Sequence, residues 1–265
     1  PTSFIFILFA FFLELTLSQN ANAAVITNGL ILNLDATNPS SNPASTSTWK
    51  DVSGYGNDVT LVSVPAANDG PAFSGSAQIT SLKFADSASS NQSSGYGSIP
   101  NSSNSFDTFT AGITVSAWVD FETPTNTGAW ERVIDFGNKD ASDNILFAKN
   151  YTSQDLTLEI YNGAATYGQC TAAGGVQYGV WHLYTATLDG VNCAIYRDNA
   201  LLYSMAYSNK PTSIHRTKNY IGRSNWSADA SFQGRISQLL IYNRALPLSE
   251  IQQNYAQVST YSNSY

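Results

Sequence analysis

Short runs of alternating or β-branched residues recur about every ten residues along this chain, a spacing typical of all-β sandwiches. Turn pairs rich in Gly, Asn and Asp separate the runs. This pattern predicts an antiparallel two-sheet β-sandwich of the jelly-roll type. The predicted strands cover residues 29–35, 59–64, 77–84, 113–121, 132–136, 145–149, 156–161, 180–188, 193–197, 201–206, 220–222 and 234–242.

Two of the turn pairs predict how neighbouring strands connect. Asp189-Gly190 separates LYTATL from VNCAIY, which is a strong hairpin signal. Asp198-Asn199 then joins CAIYR to LLYSM and extends the hairpin into a meander. The Ser/Asn-rich stretch 87–105 is predicted to be a long surface loop. No linker or repeat divides the chain, so we expect residues 25–258 to form one domain.

One short helix is predicted near the C-terminus. Leu248, Ile251 and Tyr255 recur at i, i+3 and i+7, which gives a helix one apolar stripe. Pro247 suits the first turn because its missing N–H costs nothing there, and Glu250 complements the helix dipole. We expect this helix to pack on the edge of the sandwich and the polar tail, residues 259–265, to be loose.

The charge balance restricts the partners of the chain. Nineteen acidic residues outnumber twelve basic ones, the net charge is −7, and the basic residues form no run. A nucleic-acid groove is therefore excluded, since it needs clustered Lys and Arg. Charged residues make up only 12% of the chain, so Ser, Thr, Asn and Gln must supply most of the polar surface, which suits an extracellular protein.

The N-terminal segment, residues 1–24, is predicted to be a secretory signal peptide. An apolar run at residues 4–13 precedes the small-x-small sequence Ala21-Asn22-Ala23. The run is too short to span a bilayer, so no transmembrane span is expected once the leader is removed. The missing Met and basic residues indicate a start that is truncated, and a retained hydrophobic helix is the alternative. We expect a secreted or cell-surface protein.

The two cysteines, Cys170 and Cys193, are predicted to form one disulfide. An exported protein with an even number of cysteines is expected to pair them, because its compartment is oxidising. The alternative is a pair of buried free thiols.

Three segments in order resemble the laminin G-like and concanavalin A-like jelly-roll superfamily. They are GLILNLDATNPSS with WKDVSGYGNDVTLV in residues 29–62, ITVSAWVDF in 113–121, and YIGRSNWS with FQGRISQLLIYNRALPLSEIQQNY in 220–255. The resemblance covers residues 25 to about 258, and Pro247 stands where the family usually has Ser. It implies a β-sandwich whose loops or concave sheet bind glycans or proteins, often beside Ca²⁺.

The resemblance also implies a calcium site, and calcium is the only cofactor that we expect. The turn DVSGYGND concentrates oxygen ligands among glycines, an arrangement that suits a hard cation. The alternative is an Asx-stabilised turn with no metal. The candidate ligands are Asp35, Asp51, Asn57 and Asp58.

The superfamily includes glucanases, which need a pair of catalytic carboxylates. The nearest match here is the segment ERVID, in which Glu131, Val133 and Asp135 would share one strand face. Val133 stands where the central acid would be required. We therefore predict no catalytic residue and no enzyme activity, and a glycoside hydrolase is the least favoured function.

Aromatic side chains in loop-like segments are the candidate ligand contacts, since exposed rings can stack on the faces of sugars. For each ring, packing in the core or against a loop is the commoner role. The predicted function is a non-catalytic module for carbohydrate or cell-surface recognition and adhesion, with a glycan or a surface protein as partner. The alternative is a structural subunit of a surface layer, filament or virion. The candidate rings are Trp130, Tyr151, Tyr167 and Trp226.

Overall fold

The computed structural model describes residues 24–41, 47–67, 70, 80–84, 95–100, 104–123, 129–164 and 166–257, with Thr166 and Tyr167 described by their backbone alone. The predicted leader, apart from residue 24, and the predicted tail lie outside these residues. Within the described part of the chain, no helix is long and apolar enough to cross a membrane.

The described residues form sixteen strands and one helix, and every pairing between the strands is antiparallel. The elements in chain order are β1 (Leu30–Asp35), β2 (Thr48–Trp49), β3 (Val59–Val62), β4 (Ala66–Ala67), β5 (Ser81–Phe84), β6 (Tyr96–Ile99), β7 (Ile113–Phe121), β8 (Arg132–Gly137), β9 (Ile145–Lys149), β10 (Leu156–Asn162), β11 (Thr166–Ala172), β12 (His182–Leu188), β13 (Asn192–Arg197), β14 (Ala200–Ala206), β15 (Lys218–Ile221), β16 (Gly234–Tyr242) and α1 (Leu248–Tyr255).

Two eight-stranded sheets make up the sandwich, as predicted. Sheet 1 has the order β14–β13–β12–β7–β16–β5–β4, with β1 also paired to β16. Sheet 2 has the order β11–β10–β9–β8–β15–β6–β3–β2. The main core lies between them, because alternate residues of each strand, such as Val115 and Ala117 of β7, point inward. The remaining residues form an outer face on each sheet.

Residues 87–105 are not simply a loop, and that part of the prediction is wrong. The strand β6 lies inside this stretch and pairs with β3 on one side and β15 on the other. Gly97 fits there because a Cβ at its position would stand 2.7 Å from Val59 Cγ1. The run YGSI is short and lies among polar residues, so its strand character depends on its two partners. The strands β2, β4 and β11 are also additional to the predicted set.

The predicted helix is confirmed, but it packs on a face of the sandwich and not on its edge. Pro247 is the N-cap, and Ile251 is buried against Leu240 and Tyr242 of the outer face of sheet 1. Tyr255 stacks on Trp118, with 5.7 Å between the ring centroids. This outer face is apolar around β7 and β16 and would face water without cover, so burial favours the face over the edge.

The predicted disulfide is present and joins the two sheets. Cys170 lies on β11 of sheet 2 and Cys193 on β13 of sheet 1, with their Cα atoms 6.3 Å apart and both side chains buried. The bridge closes a loop with a sequence separation of 23 residues.

Replacing both cysteines by alanine should lower the free energy of unfolding by about 3 kcal/mol, because the open chain regains the entropy of a loop of this length. Alanine avoids placing a hydroxyl in the core. Urea denaturation of the variant, beside the wild type with and without reductant, measures the change. Unchanged stability in both comparisons would contradict this role for the bridge.

Candidate functional site

The candidate site lies on the outer face of sheet 2, where strand β8 is irregular. The pairing of β8 with β9 shifts register between Arg132 and Ile134. Val133 and Ile134 both lie in the core, as does Phe136. Because two successive residues point inward, Arg132 and Asp135 both reach the outer face.

Arg132 is surrounded by aromatic rings. Its guanidinium carbon lies 5.1 Å from the ring centroid of Trp130 and 5.3 Å from that of Trp226. The ring of Trp226 in turn lies 5.3 Å from that of Tyr161 on β10. Both tryptophans are half-buried, so part of each ring remains accessible. We call Trp130, Tyr161 and Trp226 the aromatic patch.

The segment between β15 and β16, residues 222–233, carries Trp226 over the sheet, and polar contacts hold it in place. Asn225 donates from its backbone N–H to Asp135 Oδ2 and from Nδ2 to Asp135 Oδ1, both at 2.8 Å. Arg132 Nη2 and Ser224 Oγ both donate to Asp229 Oδ2 at 2.8 Å. These contacts join β8 to the segment, so the position of Trp226 depends on the charged groups of Arg132, Asp135 and Asp229.

Three carboxyl groups share the single guanidinium of Arg132. Strand registers place Glu159, Leu146 and Asp135 in one row across β10, β9 and β8. Asp135 is fully buried with its Oδ2 3.7 Å from Arg132 Nε, and Asp229 is paired as described. Glu159 is only 4% exposed. The outer face thus carries more acid than base beneath the aromatic patch.

Burial sets the protonation of these acids. Burial raises the pKa of Glu159 to about 7, Arg132 opposes the rise, and the charges of Asp135 and Asp229 add to it. Burial likewise raises the pKa of Asp135 and of Asp229, again opposed by Arg132. The carboxyls therefore take up protons more readily than exposed acids as the pH falls.

Two of the four predicted ligand-binding residues, Trp130 and Trp226, meet around Arg132. Tyr151 is at the same end of the sheet, where its carbonyl accepts a hydrogen bond from Trp130 N at 3.1 Å, and its side chain is 60% exposed. Tyr167 lies opposite Tyr161 in the pairing of β11 with β10. Of the four candidates, the structure thus brings together only Trp130 and Trp226.

Sequence reasoning missed Arg132, Glu159 and Tyr161 as parts of this site. A signal for Glu159 was present, since an acid in the middle of the apolar run LTLEIY is unusual on a strand. No comparable local signal marks Arg132, whose orientation depends on the register shift in β8.

The predicted calcium turn is held by hydrogen bonds from the chain itself. Asp51 Oδ1 accepts from the backbone N–H groups of Asn33 and Ser53, and Asp51 Oδ2 from Ser53 Oγ and the backbone N–H of Asn57. The four bonds are 2.8–2.9 Å long and occupy the four lone-pair sites of a carboxylate. Asp51 in this arrangement does not fit a metal ligand.

The other three calcium candidates are engaged as well. Asp58 Oδ2 pairs with Lys50 Nζ at 2.6 Å, and Asn57 Nδ2 donates to the carbonyl of Ile31. Asp35 accepts from the backbone and hydroxyl of Thr37. Among the described residues, no three acidic, His or Cys side chains are grouped to hold a metal. The geometry favours the Asx-turn alternative, and calcium binding stays a prediction.

The acids considered for a catalytic strand lie in different environments, contrary to the expectation that they share a face. Glu131 Oε1 is 2.9 Å from Lys149 Nζ, and both side chains are buried. Asp135 lies on the outer face beside Arg132. The register shift between them reverses the alternation on which the expectation was based.

The fold is a lectin-like β-sandwich. A comparison of the sequence with models of protein families identifies the superfamily. Residues 90–252 match the model of the concanavalin A-like lectin/glucanases superfamily. The chain therefore belongs to this superfamily. No curated protein matches the sequence of the chain.

Solved structures with the same fold are distant in sequence. The binding domain of botulinum neurotoxin serotype C1 is 16% identical, with a TM-score of 0.63 over 89% of this chain and 53% of that one. A second structure is of botulinum neurotoxin type C, whose cell entry depends on interaction with two ganglioside molecules. It is 16% identical, with a TM-score of 0.65 over 90% of this chain and 53% of that one. The Trypanosoma rangeli sialidase in complex with sialic acid is 18% identical, with a TM-score of 0.56 over 91% of this chain and 35% of that one. This chain thus spans about half or less of each of these structures.

Proposed function

We propose that this chain is a non-catalytic carbohydrate-binding module of a secreted or cell-surface protein, and that the saccharide binds at the aromatic patch. The superfamily supports a binding role. Of the solved structures with this fold, one is of a neurotoxin that depends on gangliosides for cell entry and one is a complex with sialic acid. The disulfide supports an oxidising compartment.

The observation that carries the proposal is that the rings of Trp130 and Trp226 both lie close to one guanidinium, that of Arg132, at 5.1 and 5.3 Å. Both rings are half-buried, and partly buried polar contacts at Asp135 and Asp229 hold the backbone that presents Trp226. A ring held in this way loses little conformational freedom when a sugar stacks on it, so the contact yields more affinity. Two such platforms beside polar groups are the usual chemistry of a saccharide site.

The carboxylate pair considered for the segment ERVID does not come together, because Glu131 and Asp135 have different ion-pair partners in different environments. Glu131 is buried in an ion pair with Lys149, away from Asp135. We therefore propose binding without turnover, and incubation with β-glucans followed by product analysis tests this part.

Replacing Trp226 by alanine should weaken glycan binding by about tenfold or more, as expected for a central tryptophan of a binding site. A glycan array with the wild type selects the ligand, and titration followed by tryptophan fluorescence measures the affinity of both proteins. Far-UV circular dichroism verifies that the variant is folded.

The matched control is Tyr55→Ala, which removes a ring that is 57% exposed in the turn at residues 51–58. Its affinity should equal that of the wild type. If both variants lost the same glycan affinity, or if Trp226→Ala lost none, the glycan would bind at a site other than the aromatic patch. An array with no bound glycan would favour the structural-subunit alternative.

A further inference from the structure

The charges beneath the aromatic patch are unbalanced. Arg132 is the one cation in contact with Asp135 and Asp229, and it is also the cation that opposes the raised pKa of Glu159. Arg223 lies farther along the same face, stacked 4.6 Å from the ring of Tyr96. It is not among the groups that shift the acids around Arg132. Three carboxyls against one guanidinium leave a surplus of negative charge.

Two of these buried groups have unused hydrogen-bonding capacity. The side chain of Arg132 is 3% exposed, and its buried Nη1 has no hydrogen-bond partner. Glu159 is 4% exposed, and no hydrogen bond from the described residues contributes to the shift of its pKa. A donor without an acceptor and an acceptor without a donor on one face suit a hydroxyl, which can accept from the first and donate to the second. This chemistry points to a polar ligand without charge.

An acidic saccharide would meet the same groups differently. Its carboxylate would need the guanidinium fork, but Arg132 Nη2 is already bound to Asp229 at 2.8 Å. The remaining carboxyls would then repel the ligand in surroundings where burial weakens screening by water. Like charges brought together in this way lower affinity and act as a specificity filter.

We propose that the aromatic patch takes uncharged saccharides and rejects acidic ones, with Glu159 and its neighbouring carboxyls as the discriminating groups. The proposal rests on the proposed function, because it assigns the ligand class of the same site. It predicts that the binding preference of this module is set by charge beneath the rings and not by the rings alone.

The groups that face Glu159 determine how the preference varies with pH. The charged groups that act on Glu159 are Arg132 and Asp135 of strand β8 and Asp229 of the segment before β16. Burial and, in turn, the charge of Glu159 raise the pKa of Tyr207, which follows β14. The register neighbours of Glu159, Leu146 and Gln169 on β9 and β11, do not titrate. Glu159 is neutral in acid and gains its charge as the pH rises through about 7, so rejection of acidic saccharides should strengthen over that interval.

The test is an array of paired glycans, in which each neutral oligosaccharide is printed beside the same oligosaccharide capped with sialic acid. At pH 8 the wild type should bind the neutral member of a pair about tenfold more tightly, a difference set by like-charge repulsion. The difference should narrow at pH 5.5, where Glu159 is mostly neutral. Trp226→Ala should lose binding of both the neutral and the sialylated member of each pair, as expected if both bind at the aromatic patch.

Glu159→Gln removes one charge without changing shape, and at pH 8 it should narrow the preference for neutral over sialylated members about threefold or more. Asp140→Asn is the matched control, since it removes one charge at an exposed turn and should leave the preference unchanged. Equal or tighter binding of sialylated members would overturn the inference while leaving the proposed function intact. If neither the neutral nor the sialylated members bound, both the inference and the proposed function would be overturned.

Discussion

Replacing Arg216 by methionine is expected to lower the free energy of unfolding by about 4 kcal/mol, because it leaves several buried carbonyl groups without their charged donor. Arg216 is fully buried. Its Nε donates to the carbonyl of Asp143 at 2.9 Å, Nη1 to that of Phe106 at 2.8 Å and Nη2 to that of Thr212 at 2.9 Å. One side chain thus joins the segments that precede β7, β9 and β15.

Burial lowers the pKa of Arg216 to about 10, and Asp143 and Asp107 oppose this change. The guanidinium therefore stays charged at neutral pH, and its loss should cost stability at every pH from 5 to 8. Lysine at this position keeps the charge but lacks the planar fork, so Arg216→Lys should recover only part of the loss.

Urea denaturation followed by circular dichroism measures the effect of Arg216→Met. The matched control is Lys210→Met, since exposed Lys210 donates to the single carbonyl of Thr110 and should contribute under about 1 kcal/mol. A loss for Arg216→Met no larger than that of the control would show that the three carbonyls find other donors.

The second large effect is expected for Arg132→Met, which should lower the free energy of unfolding at pH 8 by about 3 to 5 kcal/mol. The substitution leaves the buried Asp135 and Glu159 and the partly buried Asp229 without a cation. It also releases the ring contacts to Trp130 and Trp226. The segment that carries Trp226 should loosen, so the loss of glycan binding should accompany the loss of stability.

This loss should shrink as the pH falls. Glu159 has a pKa of about 7 in the folded protein and an ordinary value of 4.5. Its raised pKa means that the folded state binds the proton more tightly, so the stability linked to Glu159 is complete below pH 4.5 and is lost as the pH rises through about 7. Without Arg132 the folded pKa rises further, and the difference between variant and wild type grows with pH.

Denaturation curves at pH 5 and pH 8 measure this dependence. Glu159→Gln in the Arg132→Met background should restore part of the stability at pH 8 and little at pH 5, because it removes one of the uncompensated charges. Arg235→Met is the control, since Arg235 forms more exposed pairs with Asp120 and Glu122 and should show a small loss. A loss for Arg132→Met that is equal at both pH values would rule out charge as its cause.

Much of the fold could be predicted because the longer strands and the helix each carry a local sequence signal. The alternation of ITVSAWVDF separates the two faces of β7 without reference to any other strand. Asp189-Gly190 joins β12 to β13, and the stripe with Ile251 and Tyr255 marks α1. The strands that were not predicted are mostly short. Tyr96–Ile99, for example, is a strand because it pairs with a neighbouring strand on each side.

The aromatic patch could be predicted only in part from the local sequence. Trp130 and Trp226 could be chosen as candidates from their loop-like surroundings, but nothing local indicates that they meet. They meet because Asp135 and Asp229 hold the segment before β16 against β8. Contacts between residues so distant in the chain form only when the sheets have assembled.

The sequence by itself determined the two-sheet class, the closing helix and the disulfide partners, since each depends on spacing or on residue type. Only the tertiary structure decided which face Arg132 occupies, because one extra residue in β8 reverses the alternation that spacing alone implies. It also decided the protonation of Glu159. An acid takes a pKa of about 7 only when neighbouring strands and a folded-over segment remove it from water.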